Sequence, residues 1–265
     1  MTSLFLSAAL ILSAQVGFAE EFKMSVTTSF ANSGLAEVLL PEIEKDLGLT
    51  VQLLIVGTGQ ALALGAAGDV DAVLVHSRPA EDKWLAEGNG THRREIMYND
   101  FIVLGPSADP AGAKATSAAL DAFKAIEAAK ANFVSRGDDS GTHKMELALW
   151  KDAGVTPEGD WYKSVGQGMG AALNTAAGMD AYILADRASW LNFANKANLA
   201  IVFEGDPALF NQYAYLPVNP AKHPHVKPEA AAKLEDWLTS DRAKELIEGY
   251  QIAGQKLFVF NAQPM

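Results

Sequence analysis

Beyond residue 20, short apolar runs alternate with longer segments in which apolar residues recur every three to four positions. Residues 22–28 (FKMSVTT) predict a strand, and Ser33-Gly34 leads into an amphipathic helix, LAEVLLPEIEKDLG, that ends at Gly48. Residues 50–56 (TVQLLIV) form an apolar, partly β-branched run of the kind carried by parallel strands covered on both faces. Gly57-Thr58-Gly59 turns this run into a second helix, QALALGAAG. A third strand is predicted over 71–75 (DAVLV) and a third helix over 81–87. Strand, tight turn and helix in repetition describe βαβ units and a doubly wound sheet.

The pattern then lengthens and resumes. Residues 98–105 (YNDFIVLG) read as one long strand ending in Gly105-Pro106, a hinge into a second lobe. A helix over 117–131, a strand over 132–135 and a helix over 142–153 follow. After these come a Gly-rich turn (166–170), a helix, and strands over 181–184 and 199–203. Residues 213–218 (YAYLPV) predict the return crossing, 228–250 a long Ala-, Leu- and Glu-rich helix, and 256–260 a last strand. The expected architecture is α/β, with two lobes joined by two crossings and a ligand cleft between them. Lobe 1 is expected to span 20–104 and 215–265, and lobe 2 to span 105–214.

Composition narrows the chemistry. The 265 residues are 49% hydrophobic, ample for real cores, and no Gly or Pro period marks a fibrous or disordered chain. A formal net charge of −11 argues against nucleic acid or an anionic membrane as partner, because both require a basic face. The absence of cysteine excludes disulfides, thiolate metal sites, cysteine nucleophiles and a lipid-bearing N-terminal cysteine. Residues 3–16 (SLFLSAALILSAQV) are uncharged and too short to span a bilayer comfortably. With Gly17-Phe18-Ala19 after them, they read as a cleavable secretory signal (1–19), although no basic residue precedes them. The mature chain is expected in the periplasm, without stable membrane insertion.

In an open α/β sheet, ligands bind beyond the carboxyl ends of the strands, where helix N-termini point. Three such turns are rich in hydroxyls and glycine: Thr27-Thr28-Ser29, Gly57-Thr58-Gly59, and the run from Ser135 through Arg136 to Thr142. Each supplies neutral donors and free backbone N–H groups at a helix start, an arrangement that receives anions. Any one of them could be an ordinary N-cap. Together, with Arg136 as a planar fork of donors, they make a site for a tetrahedral oxyanion. Asp138 is placed to hold the guanidinium, while Ser140, Gly141 and Thr142 open the next helix. Since a fully ionised ligand has no proton to give, Asp138 and Asp139 are expected to face away from it.

The segments VTTSFANSGL, VGTGQAL, DAVLVH, MYNDFIVLGP, SRGDDSGTHKMEL, GQGMGAALN and DRASWL, in this order, closely resemble the periplasmic tungstate-binding proteins of ABC uptake systems. The Arg-x-Asp-x-Ser-Gly-Thr spacing is also similar to that of the phosphate-binding proteins. The resemblance implies a substrate-binding protein, without cofactor or enzymatic activity, that closes on tungstate, with molybdate close behind, and delivers it to a permease and its ATPase. It carries the family's hydroxyl run onto Thr27, Thr28 and Ser29, its second-turn hydroxyl onto Thr58 and its arginine onto Arg136. The family's first threonine is Val26 in this chain, so that position has no side-chain hydroxyl to offer. The expected ligand set is Thr28, Ser29, Thr58, Arg136, Ser140, Gly141 and Thr142, on a monomer.

Other features carry alternatives. Ser140 and His143 would serve an exported serine hydrolase, although no nucleophile-elbow pattern surrounds them. Sulfate or phosphate could occupy the same fold. Gly166, Gly168 and Gly170 have the wrong spacing for a dinucleotide fingerprint and fit a turn facing the cleft. His76 ends a strand, His223-Pro224-His225 lies in a loop, and the five tryptophans are scattered as packing residues are.

Overall fold

The computed structural model describes residues 20–263; the expected export signal lies outside the described residues. The first half builds strand β1 (Glu20–Thr27), helices α1 (Thr28–Ser33) and α2 (Leu35–Leu47), β2 (Leu49–Val56), α3 (Thr58–Ala67), β3 (Ala72–Val75) and α4 (Arg78–Ala86). Strand β4 (Arg94–Pro106) leads to α5 (Ala119–Ala128), β5 (Phe133–Ser135), α6 (Gly141–Asp152), β6 (Tyr162–Ser164), α7 (Met169–Met179), β7 (Tyr182–Asp186), α8 (Arg187–Asn192) and β8 (Leu199–Phe203). The chain closes with β9 (Phe210–Pro217), α9 (Pro228–Leu238), α10 (Asp241–Gly249), a hairpin of β10 (Gln251–Ile252) and β11 (Gln255–Lys256), and β12 (Val259–Phe260).

Strand β4 organises everything else. Its residues Arg94 to Asp100 pair antiparallel with β9, in a sheet that continues through β3 and β1 to β2. From Phe101 onward it pairs with β7 and β8, in a sheet that continues through β5 to β6. One strand thus changes sheets at Asp100/Phe101, and the chain returns by Phe210, the first residue of β9. The expected boundaries at 104/105 and 214/215 fall several residues inside these ladders. Strand runs give no sign of which neighbour they will pair with, so the register alone locates the switch.

Side-chain alternation covers both faces of each sheet. Phe22, Met24 and Leu74 face a core filled by α2, α9 and α10, whereas Val73, Val75, Ala214 and Leu216 face α3 and α4. In the second sheet, Phe101, Val103 and Leu184 pack on α5 and α6, and Ile102, Leu104 and Ile183 pack on α7. Trp84, Trp150, Trp161, Trp190 and Trp237 all belong to these cores.

Two expected elements divide. The helix over 228–250 breaks at Thr239-Ser240, where Ser240 Oγ accepts from the Ala243 N–H and caps a new helix, α10. The last strand splits into β11, in a local hairpin, and β12, which pairs with Met97 and Tyr98 of β4.

Candidate functional site

Strand ends β1, β2, β5 and β7 open onto one cleft of about 660 Å³ between the two sheets. From the first sheet it is lined by Thr28, Ser29 and Asn32 of α1 and by Gly57, Gly59 and Gln60 at the start of α3. From the second come the Arg136 turn, the start of α7 (Gly168 to Ala171) and the start of α8 (Asp186, Ser189). Helix N-termini from both halves therefore converge on one space.

The local chemistry explains each turn. Thr27 Oγ1 accepts from the Phe30 N–H at 3.3 Å and caps α1, which leaves Thr28 exposed at the cleft. Gly137 has φ +61°, and a Cβ there would lie 1.9 Å from Ser164 Oγ, so only glycine fits this bend. The bend turns Arg136, 7% exposed, into the cleft wall. Its Nη2 donates to Asp138 Oδ2 and its Nη1 to Thr142 Oγ1 at 3.5 Å, while Nε is buried with no partner. Asp138 Oδ1 accepts from the Ser140 N–H at 3.2 Å. Burial pushes the Asp138 carboxyl up, but the Ser140 hydroxyl, the Arg136 guanidinium and the Ser140 amide together hold it below its ordinary pKa.

Of the expected ligand residues, Thr28, Ser29, Arg136 and Ser140 line the cleft. Three other expected residues are not among its lining. Thr142 is buried, with its hydroxyl turned to Arg136. Gly141 packs against His76 and Thr58: a Cβ on it would meet His76 Cε1 at 2.5 Å and Thr58 Oγ1 at 3.3 Å. Thr58 Oγ1 itself is buried and unpartnered.

Asp138 and Asp139 do not face away from the cleft; both line it. Each is matched by a cation, Asp138 by Arg136 and Asp139 by Lys144 at 2.6 Å, which moderates their repulsion of an anion. The hydrolase arrangement is not formed. Ser140 Oγ caps α6 by accepting from the His143 backbone N–H, and the His143 ring accepts from the Asp139 N–H through Nδ1. His223 and His225 are tied to the Ala66 and Gly68 carbonyls, and among the described residues no cluster could hold a metal ion.

Asn32, Gln60, Asp186 and Ser189 were missed as lining residues. Asp186 had a legible signal, since Asp-x-x-Ser at a helix start is a cap pattern: its Oδ1 accepts from the Ser189 N–H at 2.8 Å. Burial raises its pKa, against the nearby Arg136 charge.

Two α/β sheets, switched by one long strand and enclosing a cleft of hydroxyls, amides and one buried arginine, define the class of two-lobed substrate-binding proteins. A family profile for the PBP superfamily domain matches residues 16–242. The tungstate-binding protein TupA of Peptoclostridium acidaminophilum is 46% identical over 243 residues, covering 90% of this chain and 85% of that one. The solved structure of the tungstate-binding protein TupA from Desulfovibrio alaskensis superposes with a TM-score of 0.85 at 42% identity, over 92% of this chain and all of that one. A structure titled the tungstate ABC transporter from Geobacter sulfurreducens gives 0.79 at 49% identity, over 87% and 99%. The chain belongs to the PBP superfamily and, within it, to the family of the TupA tungstate-binding proteins. Its relatives are transport substrate-binding proteins, not enzymes.

Proposed function

We propose that the chain is the extracytoplasmic substrate-binding protein of an ABC importer and that it captures tungstate in the cleft between its sheets. The observation that carries this reading is the unpartnered, buried Nε–H of Arg136 in the wall of a cleft lined by neutral hydroxyls and helix-start amides. A buried donor without an acceptor is costly, and a tetrahedral dianion would satisfy it. In this reading Thr28, Ser29, Thr58, Arg136 and Ser140 donate, whereas Gly141 and Thr142 shape and brace the site. With a net charge of −11, long-range attraction for an anion is poor, so affinity comes from short hydrogen bonds in a closed cleft. Tungstate is favoured by the family; molybdate has the same charge and shape and is the next ligand. Export by the leader, action as a monomer, and delivery to a permease and its ATPase complete the proposal. Among the described residues no helix is long and apolar enough to cross a membrane.

One observation favours a second reading. Asp186 places a carboxylate in the cleft wall, where it could accept the proton of hydrogen phosphate. Calorimetric titration of ligand-stripped protein with tungstate, molybdate, sulfate and phosphate separates the two. Tungstate binding with Arg136→Ala weakened by about 2 kcal/mol, roughly thirtyfold, is the expected result. Unchanged binding in that variant would remove the site assignment.

A further inference from the structure

Three carboxylates line the cleft, and one of them differs from the others. Asp138 is bonded to Arg136, and Asp139 pairs with Lys144 at 2.6 Å, so each brings a matching cation with it. Asp186 is 2% exposed, and among the described residues no Lys, Arg or His forms an ion pair with it. Its chain neighbour Arg187 turns instead to Asp100 and Glu204. What holds Asp186 is neutral: Oδ1 accepts from the Ser189 N–H at 2.8 Å, and the Ser189 hydroxyl and its own amide add to this. Burial raises its pKa against these bonds and against the charge of Arg136.

The elements around Asp186 bring little further charge. Helices α1 and α7 contain no charged residue. From β9 comes Tyr213, un-ionised at neutral pH, whose ring meets the uncharged His76 of the β3 end. Across the ladder Asp186 pairs with Phe101, and the neighbouring Asp100 is clamped by Arg187. A doubly charged anion entering this cleft therefore meets a carboxylate that no cation shields directly. In a water-poor space a few ångströms wide, their repulsion exceeds the cost of adding a proton near neutral pH. Protonation removes the repulsion and turns a repelling acceptor into an O–H donor.

We propose that Asp186 takes up one proton from solvent when tungstate binds and donates it as a carboxyl O–H to the bound oxyanion. The new O–H bond forms on Asp186, and the anion enters and leaves fully ionised. This rests on the reading that the cleft binds such an anion. Asp186→Asn discriminates the role, because Asn caps a helix as well as Asp does and places an N–H donor where the O–H would be. Hydrogen phosphate, by contrast, brings its own proton and needs none from solvent.

Tungstate titrations of wild type, Asp186→Asn and Arg136→Ala would be run from pH 7 to 9, with circular dichroism reporting folding. Calorimetry at pH 8 in buffers of different ionisation enthalpy counts the protons taken up per anion. Wild type should take up about one proton per tungstate and lose about tenfold in affinity per pH unit. Asp186→Asn should take up about one proton fewer, hold its affinity nearly constant and bind more tightly than wild type at pH 9. No uptake by wild type would overturn the proposal, and that measurement needs no variant. Equal uptake in wild type and Asp186→Asn would overturn it too, as would weaker binding by Asp186→Asn at pH 9. If wild type binds no tungstate, the underlying reading falls and takes this one with it. If wild type binds and Arg136→Ala binds more weakly, that reading stands and the proton count alone decides.

Discussion

Thr58 and Glu146 show how a buried polar residue can serve the site or strain the fold. The Thr58 hydroxyl is buried without a partner, a cost of about 1 kcal/mol or more in the ligand-free protein. Thr58→Val removes that cost and the donor together. The variant should melt at the same temperature or a few degrees higher, yet bind tungstate about tenfold more weakly. Parallel melting and calorimetry check both signs, and unchanged affinity would strike Thr58 from the ligand set. Glu146, on α6 below the Arg136 turn, accepts from Tyr162 Oη at 2.7 Å and Trp150 Nε1 at 3.2 Å. Burial nonetheless raises its pKa from 4.5 to about 7. The folded protein holds this proton more tightly than the unfolded chain, so its contribution to stability is lost as pH rises through that window. Gln cannot ionise. Denaturant unfolding at pH 4.5 and 7.5 should therefore show Glu146→Gln gaining on wild type by on the order of 3 kcal/mol. Parallel pH curves would show that Glu146 does not titrate there.

At the scale of elements, the βαβ alternation was legible because hydrophobic period and turn residues agreed from β1 through β5. The three cleft-facing turns were legible for the same reason, since hydroxyls and glycines fell where strands became helices. Other features depended on contacts distant in sequence. The two-residue pairing of β12 exists only because β4 offers an edge at Met97 and Tyr98. The break before α10 had a local signal in Ser240, but it was submerged in strong helix formers on either side. Thr142 and Gly141 were expected among the ligands from their place at a helix start; whether a residue faces a cleft or a neighbouring lobe is decided by packing. Gly141 brings the start of α6 against His76 and Thr58, so its substitution tests that contact. Gly141→Ala would put a methyl 2.5 Å from His76 Cε1. It should hold the lobes apart and weaken tungstate binding about tenfold or more, while α6 itself gains propensity. Titration and melting separate these effects; wild-type affinity would mean that the bound form keeps the helix away from His76.

For the whole molecule, the question is what lets two sheets move around a ligand and still hold together. Strand β4 passes from one ladder to the other at Asp100/Phe101, and Arg187 clamps this point. Its Nε donates to Asp100 Oδ1 at 2.7 Å, and its Nη2 bonds both Asp100 Oδ2 and Glu204 Oε2, so one guanidinium joins the outgoing strand to the start of the return. Helix α8 reinforces the joint, with Ala188 in the first sheet's core and Trp190 in the second's. The same helix begins with Asp186 and Ser189 in the cleft wall, which places this joint one turn from the cleft. An anion bridging α1 and α3 to the Arg136 turn would add contacts that exist only when the lobes approach, and this is hinge closure driven by binding. Small-angle scattering should then show a smaller radius of gyration on adding tungstate. By mass action the folded state should gain about 2.7 kcal/mol at a hundredfold excess over Kd, read as a rise in melting temperature. Sulfate at the same concentration should give less of both, and Arg136→Ala, binding roughly thirtyfold more weakly, should gain only about 1 kcal/mol. An equal rise with sulfate would dismiss the selectivity, and a thermal rise without compaction would mean that the cleft is already closed before the anion arrives.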